Sequence, residues 1–162
     1  MKILLLSLVL SLLLAGQSEA QEILSQFSGE WRTHYIAASN KEKVTENGPF
    51  HMYYRHVEFD EDGDTLEAYF YLKGLTPSCG ICKRRFPLSS EDAGQNEVQI
   101  LHVSENSIIG HVRNVDEEGK ETDLVGIIGR DDRLSDTDFE RFKEETRWRE
   151  IPEENIVNFI DN

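Results

Sequence analysis

The pair Cys79-Gly80-Ile81-Cys82 holds the residues of this chain best suited to chemistry. A Cys-x-x-Cys can cycle between dithiol and disulfide where a βαβ setting activates one thiol. Here the pair follows an alternating segment and precedes no clear helix, so that setting is missing. In a chain with only 2 Cys, a local disulfide and two free thiols both stay open. Tetrahedral zinc would need two further ligands, and no paired His or Cys stands nearby in sequence.

The run Phe59-Asp-Glu-Asp-Gly-Asp-Thr65 has the acidity of a calcium loop. Setting Gly63 at the sharp-turn position puts Glu58 first and Tyr69 last, and a tyrosine cannot supply the bidentate carboxylate that such a loop needs. The run therefore reads as a solvated hairpin tip. His34, His51, His56, His102 and His111 are scattered over several segments without metal-ligand spacing. No serine sits in a nucleophile elbow and no glycine-rich loop could cradle phosphate. The expectation is a non-enzyme with no metal and no cofactor.

The elements that must position these residues begin after a leader. Lys2 is a positive n-region, Ile3 to Ala15 an apolar run, and Ser18-Glu19-Ala20 a small-residue cut site. This is the order of a signal peptide, and the apolar run is too short to span a bilayer. Residues 1–20 are thus read as a signal peptide and 21–162 as one domain of a secreted, extracellular protein. That domain, of about 140 residues, can bury a core without disulfides. Asp and Glu number 31 against 17 Lys and Arg, a net charge of −14. So acidic a surface repels nucleic acid and anionic membranes and favours a monomer or weak dimer.

Period-2 alternation predicts strands over 31–38, 50–59, 65–73, 97–103, 107–115 and 121–129. Asn47-Gly-Pro and Asp62-Gly63 supply turn signals. Short connections favour an up-and-down antiparallel β-barrel that hides its edges. Ser135 then caps a helix, with Leu134 and Phe139 as a hydrophobic staple. Phe139, Phe142 and Trp148 are expected near one stripe against the barrel wall. Residues 156–160 suit a last edge strand.

One face of the strands is almost wholly apolar. It carries Phe50, Met52 and Tyr54, then Leu66, Ala68 and Phe70. Val98 and Ile100 continue it, followed by Ile108, Gly110 and Val112, and by Leu124, Gly126 and Ile128. These are the expected ligand-binding residues. A barrel of about eight strands either fills with side chains or holds one small guest. Gly110 and Gly126 favour a cavity, because they leave space where Leu or Val would fill it. The opposite face is charged apart from Val57, Tyr69, Leu101 and Val103, which need a cover.

Five stretches in order resemble a lipocalin of the group holding odorant-binding proteins, major urinary proteins, aphrodisin and dander allergens. Gly29-Glu30-Trp31 is similar to the family's Gly-x-Trp motif, and residues 35–50 to the strand and long loop after it. Leu101-His-Val-Ser-Glu-Asn106 is similar to a stretch of the dander lipocalins. Gly129-Arg130 resembles the motif whose Arg lies across the motif Trp, and Ile151-Pro-Glu-Glu-Asn-Ile156 is a further family-like stretch. The resemblance implies structural roles for Gly29, Trp31 and Arg130. It also implies a carrier of small hydrophobic ligands, odorants or pheromones, inside the barrel.

Two departures stand out. The group's disulfide from mid-barrel to C-terminus has no second cysteine here, and Phe59 and Gly63 stand where many odorant-binding members have Cys-x3-Cys. The interval 76–97 is also too short for two full strands and contains Pro87, which disfavours a central strand. The barrel is therefore expected one or two strands short there. This leaves a second reading, a lipocalin-shaped interaction protein whose cavity is filled or open and which acts through its acidic surface.

Overall fold

The computed structural model describes residues 26–59, 66–72, 82–86 and 94–161. The elements are β1 (Gly29–Glu30), β2 (Arg32–Ala38), β3 (Met52–Phe59), β4 (Leu66–Leu72) and β5 (Cys82–Phe86). They continue with β6 (Gln95–Val103), β7 (Ser107–Val115), β8 (Glu121–Gly129), the helix α1 (Asp136–Trp148) and β9 (Ile156–Asn158). All pairing is antiparallel, in one sheet of order β1-β3-β4-β5 and another of order β6-β7-β8-β2-β9. The described residues are thus mostly β, with one long α-helix. The expected leader, the acidic hairpin tip at 60–65 and Cys79 lie outside the described residues. Cys82 opens the backbone of β5.

The first strand joins the two sheets. Gly29 and Glu30 pair with Val57 and His56 of β3, the chain turns at Trp31, and Arg32 to Ala38 then pair with β8. The Thr33 hydroxyl adds a stitch where β2 and β3 part: it donates to the Met52 carbonyl at 2.8 Å and accepts from the Tyr54 N–H at 2.8 Å. At the other side β5 pairs with β4, and among the described residues no ladder joins β5 to β6. One strand therefore lies in the interval that alternation left unassigned. Lys83, Arg84 and Arg85 hide the alternation there.

Three bulges alter the two-face reading. Register slips at His34 in β2, at Arg55 in β3 and at Leu101 in β6. Each inserts one residue and reverses the parity beyond it. Val57 thus lies opposite Ala68, and Val103 opposite Ile108, on the apolar face and not on the polar one where simple alternation put them.

Helix α1 begins as the capping signals predict, with the Ser135 hydroxyl accepting from the Asp138 N–H at 3.1 Å. Phe142 is fully buried among Ala37, Ile109, Val125, Ile127 and Ile151, with Tyr35, Leu101, Leu134, Phe139 and Ile156 around them. This covers the apolar residues on the outer face of the β6–β9 sheet. Trp148, expected on the same stripe, is 87% exposed. It stands six residues past Phe142, roughly 120° round the helix at 3.6 residues per turn. The last strand closes at Asn158, two residues earlier than expected.

Candidate ligand-binding interior

The register aligns the predicted lining residues in rungs across the second sheet. Val98, Val112, Leu124 and Ala38 form one rung, and Ile100, Gly110, Gly126 and Ile36 the next. Val103, Ile108, Ile128 and Thr33 form a third, nearer the Trp31 end. On the first sheet Met52, Tyr54 and Val57 sit opposite Leu72, Phe70 and Ala68, and Leu66 is opposite Phe59. The side chains of Leu66, Ala68 and Phe70 lie outside the described residues.

Contacts between the sheets gather these residues into two groups. Phe50, Met52 and Leu124 are buried with Ile36, Ala38, Val44 and Phe159, and Tyr54 and Val112 pack against them. At the narrow end Trp31, Val57 and Ile108 are buried together, with Tyr54, Ile128 and Phe27 beside them. Tyr54 touches both groups. Val98 and Ile100 join neither: they are 41% and 53% exposed, on the edge strand β6. Ile36, Ala38, Val44 and Val57 were not among the expected lining. Continuing the alternation along the first strand would have found Ile36 and Ala38. Val44 stands in a polar loop with no period to betray it.

Gly110 and Gly126 are direct partners in the middle of the sheet. A Cβ at Gly110 would meet nothing nearer than the Gln99 carbonyl at 3.8 Å, and one at Gly126 nothing nearer than Ile36 Cγ1 at 3.9 Å. A side chain at either glycine would therefore meet only ordinary contacts, and the pair lowers the inner wall at this rung.

The predicted trio Gly29, Trp31 and Arg130 comes together at one end of the fold. The Arg130 guanidinium lies 4.3 Å from the centroid of the fully buried Trp31 ring. Its Nη2 donates to the carbonyls of Gln26 at 2.7 Å and Ser28 at 3.3 Å, while Trp31 Nε1 donates to the Phe27 carbonyl at 2.7 Å. Gly29 has φ +130°, and a Cβ there would press on Arg130 Nη1 at 3.1 Å. The backbone conformation calls for glycine, and a Cβ would also push the guanidinium back by a few tenths of an ångström.

At the opposite end the loop between β2 and β3 folds over the rim. Val44, fully buried, and Phe50 point into the apolar group there. Lys43 Nζ donates to Asp116 Oδ2 at 3.1 Å and ties this loop to the β7–β8 turn. The Lys120 N–H and the Lys43 ammonium hold the Asp116 carboxyl below the usual carboxylate range. Below the rim lies a polar rung of Asn96, Asn114 and Thr122, all buried, with Asn114 Nδ2 donating to Asn96 Oδ1 at 2.9 Å.

The histidines serve the fold. His51 Nδ1 lies 2.7 Å from the Val44 carbonyl, His111 Nε2 2.8 Å from Asp123, and the His102 ring 2.6 Å from an Arg141 nitrogen. His56 meets Tyr69 edge-on at 5.6 Å. His34 is fully buried beneath Gly129, its Nε2 2.8 Å from the Asp131 carbonyl, and burial pushes its pKa down. No group of three or more His, Cys, Asp or Glu gathers to hold a metal among the described residues.

Comparison with known proteins agrees with this geometry. Residues 28–162 match the Lipocalin / cytosolic fatty-acid binding protein family. The chain is 35% identical over 153 residues to an odorant-binding protein of Bos taurus, covering 91% of this chain and 96% of that one. The structure superposes on the bovine lipocalin allergen Bos d 2 with a TM-score of 0.76 at 32% identity, over 85% of this chain and 94% of the other. It also aligns with a complex of bovine odorant-binding protein with undecanal, at a TM-score of 0.56 and 32% identity, over 86% and 92% of the two chains. With the motif trio assembled at the narrow end of an antiparallel β fold, and a family match spanning nearly all described residues, the chain belongs to the lipocalin family.

Proposed function

We propose that this protein is a secreted carrier that holds one small hydrophobic ligand, an odorant or pheromone, between its two sheets. The observation that carries this reading is the glycine pair Gly110 and Gly126, set side by side in an apolar wall where a Cβ would meet nothing nearer than 3.8 Å. The guest rests on the rungs running from Val112 and Leu124 down to Ile108 and Ile128, faced by Met52 and Tyr54 from the other sheet. We extend the proposed lining to Leu66, Ala68 and Phe70 on the strength of their sequence alternation and their ladder positions opposite Phe59, Val57 and Tyr54. Binding is burial and not chemistry: a ligand of about ten carbons gains several kcal/mol at about 0.8 kcal/mol per buried CH₂, net of the cost of association. The Tyr54 hydroxyl supplies one orienting polar contact. Gly29, Trp31 and Arg130 close the floor and touch no ligand. Residues 1–20 direct the chain to secretion. The undecanal complex of the bovine relative supports the ligand class.

The exposed Val98 and Ile100 on β6, whose outer edge has no ladder partner among the described residues, favour a second reading, an interaction protein with an open interior acting through its acidic surface. Titration with N-phenylnaphthylamine, an uncharged apolar fluorophore, separates the two. Saturable micromolar binding at one site, displaced by undecanal, supports the carrier. A folded protein that leaves the fluorophore dark supports the interaction protein.

A further inference from the structure

β6 ends its sheet, and its outer edge has no ladder partner among the described residues. It is 9 residues long, about 30 Å at about 3.4 Å per residue. The Gln99 carbonyl faces β7, 3.8 Å from where a Cβ would stand on Gly110. Alternation along an antiparallel ladder therefore turns the N–H and C=O groups of Val98 and Ile100 away from β7, towards the outer edge. Their side chains are 41% and 53% exposed. Sheet edges are usually guarded by Lys, Pro or a bulge. β6 contains neither Lys nor Pro, and its bulge at Leu101 comes after the stretch from Val98 to Ile100. Such an edge is a template for a further strand.

Charge defines what would fit. At a net charge of −14, two copies of this chain repel over most of their surface. β6 carries a single carboxylate, Glu97, so copies that meet along it bring few like charges together. Glu97 is exposed near one end of the strand, opposite Arg113 of β7, which is itself bridged to Glu121 at 2.7 Å. At the other end the exposed Arg141 of α1 reaches over the strand, its guanidinium 2.6 Å from His102 Nδ1. Asp138 lies beyond the opposite ring nitrogen, 3.8 Å from His102 Nε2. The strand is thus acidic at one end and basic at the other. Antiparallel pairing with itself sets each charge against its opposite, once on either side of the symmetry axis.

We propose that a second copy of this chain docks on this edge, β6 against β6, about a twofold axis at Gln99. Val98 of each copy lies opposite Ile100 of the other, exchanges backbone hydrogen bonds with it and covers its side chain from water. Glu97 of each copy falls beside His102 and Arg141 of the other. A contact of one strand pair stays below the roughly 1,200 Å² of a stable interface, so the dimer is weak and reversible, with Kd on the order of 100 μM.

The test is sedimentation equilibrium of the protein from about 10 μM to about 1 mM, with amide hydrogen exchange at both ends of that range. The average mass should climb towards twice that of the monomer. The amides of Val98 and Ile100 should exchange about fourfold more slowly at the high concentration, as the free fraction falls. Glu97→Lys and Arg141→Glu should each weaken association by about tenfold, because a like charge then meets its counterpart on both sides of the axis. The double variant should restore association, an outcome that damage to the monomer cannot produce. Val98→Pro, which removes one outward amide and leaves the ladder to β7 whole, should abolish the dimer. A chain that stays monomeric at the highest concentration would overturn the proposal, as would a double variant no better than the single ones. Equal protection of the Val98 and Ile100 amides at every concentration would also overturn it, because the chain itself would then cover the edge.

Discussion

Gly126→Val sets the interior against the stability of the sheet. A Cβ at Gly126 meets Ile36 Cγ1 at 3.9 Å and the Tyr35 carbonyl at 4.0 Å, ordinary contacts that displace nothing. Valine also suits a strand better than glycine, which costs about 0.5–1 kcal/mol there relative to alanine. The variant should therefore be more stable by about 1 kcal/mol, a rise of about 3 °C in melting temperature for a domain of this size. Its three added carbons occupy the dip where the proposed ligand lies. A guest that loses burial of three methylenes forfeits about 2.4 kcal/mol, close to a fifty-fold rise in Kd. Gly126→Ala should fall between, with about a fourfold rise. Thermal melts and N-phenylnaphthylamine titrations of the three proteins measure both effects. Higher stability with unchanged affinity would mean that the ligand does not touch this rung. A loss of stability would mean that the rung is already packed and the dip does not exist.

Arg130→Ala should cost about 1–3 kcal/mol in urea unfolding, because it removes the cation stacked on Trp31 and the donors to Gln26 and Ser28. Lysine should restore only part of this, since it lacks the planar fork. Phe142→Ala should lose about 3–5 kcal/mol, as it empties a fully buried site between α1 and the sheet, and calorimetry checks it. His34 has a folded-state pKa below its unfolded value of about 6.5, so the unfolded state takes up the proton first. Stability should therefore be full above about pH 6.5 and decline as pH falls from there towards the folded value. In His34→Gln that part of the decline should vanish from the melting temperature measured against pH.

The strands β7 and β8 could be read to the residue, because no bulge interrupts their alternation and short turns bound them. The helix start was equally plain, since Ser135, Leu134 and Phe139 are local signals. β5 was not, because Lys83-Arg84-Arg85 carries no apolar alternation and its place is set by pairing with β4. The bulges at His34, Arg55 and Leu101 were also invisible, for a bulge belongs to the partner strand's register as much as to its own residues.

What the chain's own order of residues determined is therefore the set of apolar segments, the family motifs and the helix that covers the outer wall. These rest on short-range periodicity and on residue types that act alone. What tertiary structure decided is which side chains share an interior, that Val57 and Val103 turn inward, that Val44 plugs the rim, and that β5 and β6 do not pair with each other among the described residues. Those outcomes depend on cross-strand register and on contacts between residues tens of positions apart, which no local pattern encodes.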